Sequence, residues 1–427
     1  MKNNYIRLAL TICLFSTTFF AFSQSIEQVN EIKKKSNVVK LKDLEKKLKK
    51  QQLLEKEKAL TLAQMNGWPI TFTENGSYHE LIKVTEDNKP IYYKTDNVAA
   101  ARSTRTNWLH NGGGLGLDIE GQGMTAYVWD GGLARSTHQE YDGIGGDDRF
   151  TKGDESTALN FHGAHVTGTI IASGVNSSAK GMAPQAKGIG HDWNSDTSEA
   201  ASATTNGMLL SNHSYGYRAS DIPDSWFGAY RNEARIWDDI MYNAPFYLQV
   251  ISAGNDGEDN TSNGDPLGGN AAYDKLSGFK TSKNSLIIAN GQDATIDVNG
   301  NLISVSRNTS SSEGPTDDLR IKPDIMGNGT GLFSTFETSN TSYGTLTGTS
   351  MSAPNVTGSL LLLQQYYNEI TGSFMRAATL KGLALHTADD VGFLEIGFPS
   401  SSTLPRTCCS AYFHAFFSIL YSSSYFC

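Results

Sequence analysis

The sequence predicts an α/β protein built on a mainly parallel β-sheet flanked by helices, preceded by a small α+β unit. Three observations carry this. Short β-branched and aromatic runs at 124–129, 246–251 and 285–290 each stop at Gly, Asp or Asn and alternate with helical segments, the pattern of a parallel sheet with its reactive groups at the carboxyl ends of the strands. The turn Gly348-Thr349-Ser350 feeds a run containing Leu360 to Leu363, too apolar for an exposed helix, so that helix runs through a core. Before Asn107 the text is rich in Lys, Glu and Leu; after it, Gly-rich and polar with short apolar runs.

Taken in order, residues 1–23 have a basic start at Lys2 and Arg7, an apolar stretch from Leu8 to Phe22, and small residues at Ala21 and Ser23. That is the pattern of a secretory signal peptide; the interrupted apolar run makes a membrane anchor the weaker alternative. Export suits the cysteines, since Cys13 lies in this segment and Cys408, Cys409 and Cys427 fall at the far end, leaving a fold that does not rely on disulfides. Residues 26–64 carry Leu41, Leu44 and Leu48 at helical spacing, so one or two amphipathic helices are expected, ended by Asn66-Gly67-Trp68-Pro69. Runs at 70–72, 78–84 and 90–93, separated by turn formers, predict a small meander of strands. The segment 99–106 then looks like a linker with two exposed basic residues, Arg102 and Arg105, suited to proteolysis.

Charge divides the chain the same way. Residues 24–100 hold 14 Lys+Arg against 11 Asp+Glu, and 101–427 hold 19 against 33, within a net charge of −9. A basic segment beside an acidic body suggests an internal partner, and the acidic body argues against nucleic acid.

The body places reactive side chains at structurally special points. Asp130 and Asn255 end predicted strands, and His162 opens a predicted helix beside Gly163. Ser350 starts the buried helix, where unpaired N–H groups and the helix dipole favour an oxyanion. Alone, each has a plain explanation as a turn former, a helix-start histidine or an N-cap. Together, a serine, a histidine to take its proton and an aspartate to orient the imidazole make a nucleophilic set.

The blocks Val128-Trp129-Asp130-Gly131-Gly132, His162-Gly163-Ala164-His165-Val166-Thr167-Gly168 and Gly348-Thr349-Ser350-Met351-Ser352-Ala353-Pro354 resemble, in this order, the three signature blocks of the subtilisin-like serine proteases. Gly131 stands where a small hydroxyl residue is commoner and Ala164 where threonine is commoner; neither removes a reacting group. The resemblance covers roughly residues 107–391 and implies a subtilisin-like three-layer fold and peptide-bond hydrolysis. It implies Asp130, His162 and Ser350 as the catalytic triad and Asn255 as oxyanion donor. Ser214, Tyr215 and Gly216 would pair with extended substrate, with Ser252, Ala253 and Gly254 as a wall of the primary specificity pocket. Gly254 would leave room for a sizeable apolar or aromatic side chain, and no acidic cluster asks for a basic one. Residues 24–98 would be a prosegment that assists folding and inhibits until removed near 99–105, and 99–391 the catalytic domain.

No cofactor is required for that chemistry. The family's structural Ca²⁺ makes Glu140 a candidate ligand, with the acidic loop Asp256, Glu258, Asp259 and Asp265 a second place to look. The expected partners are protein or peptide substrates and the chain's own prosegment. No membrane partner is expected once the signal is removed, and the protein is expected to be a monomer. Residues 392–427 lose all periodicity and carry Arg406 as their one charge beyond Glu395. Two explanations compete, a divergent tail and a frameshifted, truncated reading, the second being favoured; the alternative function is then a catalytically impaired subtilase-like binding module.

Overall fold

The computed structural model describes residues 24–74, 77–95, 101, 103–141, 148–390 and 411–412. The expectations for 1–23, for Asn75-Gly76, for Arg102 and for the tail apart from Ala411–Tyr412 lie outside these residues.

The N-terminal unit begins with α1 (Ile26–Lys35), closed at its start by a reciprocal capping box of Ser25 and Gln28. Helix α2 (Val38–Asn66) follows, capped by the Asn37 side chain and stopped at Gly67, whose φ of 70° suits glycine. Strands β1 (Thr71–Glu74), β2 (Ser77–Val84) and β3 (Pro90–Thr95) form the antiparallel meander. Ala59, Ala63, Leu81 and Tyr92 give this unit a small core of its own. The other stripe of α2, Leu41, Leu44 and Leu48, packs into the body against residues that include Trp193, Ala200 and Trp237.

The body is a sheet of seven parallel strands. In chain order they are β4 (Thr125–Asp130), β5 (Phe150–Lys152), β6 (Lys187–Asp192), β7 (Leu210–His213), β9 (Leu248–Ser252), β10 (Leu286–Gly291) and β13 (Ile325–Asn328). Their spatial order is β5-β6-β4-β7-β9-β10-β13, with β16 (Asp389–Asp390) and β17 (Ala411–Tyr412) extending the β13 edge. The one described piece of the tail thus adds a short parallel strand where no strand was expected. Strand β8 (Tyr215–Tyr217) leaves this sheet and pairs with β3 instead. Strands β11 (Thr295–Ile296) and β12 (Leu302–Ser304) form a small hairpin, and β14 (Thr330–Thr335) and β15 (Tyr343–Thr347) a longer one leading into Ser350.

Both faces of the parallel sheet are covered, which is why its strands read as apolar runs rather than alternating ones. Val250, Leu286 and Ile288 face one cluster with α3 (Phe161–Ile171) and α6 (Thr349–Thr371). Ile251, Ile287 and Trp129 face the other, with α4 (Asp196–Thr204) and α5 (Asn232–Asn243). Helix α7 (Ala377–His386) follows α6. Among the described residues no helix is long and apolar enough to cross a membrane.

The linker expectation fails at Arg105. Its side chain is fully buried, pairs with Asp389 at 2.7 Å and donates to the Gly300 carbonyl at 3.1 Å. A guanidinium held this way is part of the body, because removing it would leave the half-buried Asp389 carboxylate without its partner.

Candidate active site

Asp130 ends β4 and is 1 % exposed. Its Oδ1 accepts the Gly131 N–H at 2.8 Å and faces His162 Nδ1 at 2.7 Å. An oxygen that already accepts one hydrogen receives the second from Nδ1, so the imidazole proton sits there and Nε2 keeps its lone pair. His162 occupies the first turn of α3, where Asn160 accepts its backbone N–H at 2.8 Å. Gly163 makes this approach possible: a Cβ there would lie 2.0 Å from the Gly132 carbonyl oxygen. His165, on the same helix, is a structural histidine. Its Nε2 meets the Leu332 carbonyl at 3.0 Å, and burial pushes its pKa down to about 3.

Ser350 lies one residue inside α6 rather than at its N-cap, which is Gly348. Its Oγ donates to the Ser214 carbonyl at 2.9 Å, and the Ser214 Oγ donates back to the Ser350 carbonyl at 2.8 Å. The second bond has a covalent cause. Pro354, four residues on, has no N–H to offer the Ser350 carbonyl, so the acceptor that a regular helix would satisfy internally is taken by Ser214. Pro354 stands in the second turn of the helix, where it frees this acceptor.

Asn255 is fixed by Thr349, whose N–H and Oγ1–H both donate to Asn255 Oδ1 at 2.9 Å. A backbone N–H can only donate, so the atom it meets is the oxygen and the amide nitrogen is turned away, available to another acceptor. Thr349 Oγ1 also accepts the Gly254 N–H at 3.1 Å. One threonine thus ties the Ser252-Ala253-Gly254-Asn255 segment to the start of α6. The sequence signal for it was its place between Gly348 and Ser350.

The expected substrate-pairing strand is already engaged. Strand β3 runs antiparallel to it, with Thr95 opposite Tyr215, Lys94 opposite Gly216 and Tyr93 opposite Tyr217. The Tyr215 ring is buried and its hydroxyl donates to Asp196 Oδ2 at 2.8 Å. A Cβ on Gly254 would lie 2.8 Å from Lys280 Nζ, and one on Gly216 2.6 Å from the same atom. Lys280, 4 % exposed, comes from the turn Gly278–Thr281 before β10 and drew no notice in the sequence.

Glu140 does not fit a Ca²⁺ ligand. Its carboxylate accepts the N–H groups of Gly174, Val175 and Asn176 at 2.7, 3.0 and 2.9 Å, and hydroxyls of Ser173 and Tyr343 at 3.1 and 2.6 Å. A cation there would face the positive ends of these donors. Burial opposes ionisation, but the Tyr343 hydroxyl and the backbone N–H groups outweigh it and hold the carboxyl below its ordinary value. In the second acidic loop Asp259 accepts from Thr261 and Ser262 and so closes its own turn. Among the described residues no group of three or more His, Cys, Asp or Glu side chains could hold a metal.

A buried histidine with its proton fixed by a carboxylate, and a serine hydroxyl at the N-terminus of a buried helix, are the components of serine-based hydrolysis. Residues 73–401 match the subtilase family (peptidase S8). The chain therefore belongs to the subtilase family and is a serine protease. Its relatives include the major intracellular serine protease of Bacillus subtilis (strain 168), 29 % identical over 270 residues, 60 % of this chain and 72 % of that one. The extracellular serine proteinase of Thermus sp. (strain Rt41A) is 26 % identical over 318 residues, 70 % of this chain and 68 % of that one. Among solved structures, a prenylagaramide maturation protease is 17 % identical over 70 % of this chain and 93 % of that chain, with a TM-score of 0.49.

Proposed function

We propose that the protein is a secreted serine endopeptidase that cleaves peptide bonds through Asp130, His162 and Ser350. Ser350 Oγ attacks the substrate carbonyl while His162 Nε2 takes its proton. The tetrahedral oxyanion is met by the Asn255 side-chain amide and the Ser350 N–H. His162 then passes the proton to the leaving amine, and water hydrolyses the acyl-enzyme by the reverse sequence. Asp130 holds the imidazole in its tautomer and stabilises the imidazolium. These steps call on protein groups and water alone.

The observation that carries this reading is the 2.7 Å contact between His162 Nδ1 and Asp130 Oδ1, which fixes where the imidazole proton sits. Residues 24–98 act as an inhibitory prosegment, a role supported by β3 occupying the edge strand that a substrate would need. Export through the 1–23 signal completes the reading; relatives called intracellular and extracellular both occur, so their names do not decide it. A fluorophosphonate probe should label the purified protein, and casein hydrolysis should vanish with the label in Ser350→Ala. A folded protein that neither takes the label nor cleaves casein would instead be a subtilase-like binding module.

A further inference from the structure

We propose that Asn212 is a positioning residue for the nucleophile: its amide sets the direction of the Ser214 hydroxyl and, through it, anchors the backbone at Ser350. The inference rests on the endopeptidase reading above and adds to it a residue that touches neither substrate nor the reacting atoms.

Asn212 lies in β7 and is fully buried. Its ladder partners on either side are Val128 of β4 and Val250 of β9, so an apolar residue would suit this strand and an amide there needs a reason. The reason stands two residues on, on the same face of the chain. Asn212 Nδ2 donates to Ser214 Oγ at 2.8 Å, and Ser214 Oγ donates to the Ser350 carbonyl at 2.8 Å. From α6, Thr357 Oγ1 donates to Asn212 Oδ1 at 3.1 Å and shares its one hydrogen with the Ala353 carbonyl at 2.8 Å. Asn212, Ser214, Ser350 and Thr357 are all fully buried, so bulk water does not compete for these positions.

The hydrogens along this chain run in one direction. A hydroxyl has one hydrogen and two lone pairs. The Ser350 carbonyl needs the Ser214 hydrogen because Pro354 offers it no donor within the helix. Ser214 Oγ then has lone pairs to satisfy, and an amide nitrogen can only donate to them. Turned over, the Asn212 amide would present Oδ1, draw the same hydrogen to itself and leave the buried Ser350 carbonyl bare. Asn212 thus holds Ser350 from the carboxyl side, as Thr349 holds it from the amino side through two bonds to Asn255. Between these anchors lie the Oγ that attacks and the N–H that would meet the oxyanion. Ser214 also accepts the Ser350 hydroxyl on its own carbonyl at 2.9 Å, so a displaced Ser214 disturbs both the side chain and the backbone of the nucleophile.

The test uses the purified full chain, the rate at which a fluorophosphonate labels Ser350, and the kinetics of casein hydrolysis. Asn212→Leu fills much the same space without a donor. Its labelling rate and kcat should fall about 10-fold, less than the ~100-fold cost of a misplacement of about an ångström, with KM within about 2-fold of the parent. Ser214→Ala removes the group through which Asn212 acts, so adding Asn212→Leu to it should cost nothing further. A merely structural asparagine would lower the melting temperature in both backgrounds and leave the labelling rate of the folded protein unchanged. Thr357→Val takes the donor from Asn212 Oδ1 and gives a second route should Asn212→Leu not fold. It should slow labelling about 3-fold in the parent and not at all in Ser214→Ala. An unchanged labelling rate in either folded variant, or a loss that persists in the Ser214→Ala background, overturns the assignment, while an active parent leaves the endopeptidase reading standing. A parent that neither takes the label nor cleaves casein overturns the two together.

Discussion

At position 163 the space for one carbon atom decides whether Asp130 and His162 can meet. Gly163 packs with its Cα against the Gly132 carbonyl, and a methyl group there would lie 2.0 Å from that oxygen. Since the obstacle is backbone, it cannot swing aside, and either β4's end or the start of α3 must move. In Gly163→Ala we expect kcat/KM to fall about 100-fold or more, the cost of misplacing a reacting group by about an ångström. Fluorophosphonate labelling should slow in step while the far-ultraviolet dichroism of the parent is kept. An unchanged kcat/KM would show that the imidazole is positioned by something other than this close approach. Asp130, His162 and Ser350 were legible because their neighbours in sequence are also their neighbours in space, a glycine or a turn at each. Lys280 was not, because the two glycines that accommodate it lie far away in sequence, Gly216 on β8 and Gly254 in the loop after β9, and nothing in Gly278-Phe279-Lys280 distinguishes it from a surface turn.

Among the elements, legibility followed how much of the burial signal lay in one stretch. Helix α2 was visible from its leucine spacing, and β9 and β10 from their apolar runs. Strand β6 was not, since Lys187-Gly-Ile-Gly-His-Asp192 has no periodic pattern. Its glycines are there for packing: a Cβ on Gly190 would lie 2.5 Å from Phe150 Cζ, and one on Gly188 2.8 Å from Ile171 Cδ1. The expected charge complementarity of the N-terminal unit and the body exists, with Lys83 paired to Glu233, but the leucine stripe of α2 is the larger part of the join. Leu41 is fully buried in it. In a Ser350→Ala background, which prevents self-cleavage, Leu41→Ala should weaken this docking by about 2–5 kcal/mol. Hydrogen exchange would register it as faster exchange of the α2 amides with the parallel sheet unchanged. Equal loss of protection in α2 and in β9 would mean that unit and body unfold together.

At the scale of the molecule, the seam between the unit and the body is where carboxylates have been buried. Burial first, then the charge of Glu80 from β2, pushes Asp192 up to about 6. Burial raises Asp196 to about 6 against the hydrogen bonds of Tyr215, Thr197 and Gln52. Burial carries Glu199 up to about 8, although the Trp129 indole donates to it at 2.9 Å and lowers it; Asp154, Asp196 and Asp192 add to the rise. An acid whose pKa is higher folded than unfolded holds its proton more tightly in the native state. The unfolded chain releases it first as pH rises, and native stability falls until the folded pKa is passed. For this cluster the full contribution is present below the ordinary values of 3.8 and 4.5 and is gone above about 8. The melting temperature of the uncleaved Ser350→Ala protein should therefore decline between about pH 5 and 8 through this cluster. Glu199→Gln keeps an acceptor for the Trp129 indole but no longer titrates, so its melting temperature should gain on the parent steadily over that range and level off above it. Calorimetry at half-unit pH steps measures the difference. A constant offset between the two proteins would place the proton uptake elsewhere. A widening one would mean that the burial of Glu199, with Asp154, Asp196 and Asp192 beside it, makes the intact precursor easier to take apart as the surroundings become less acidic.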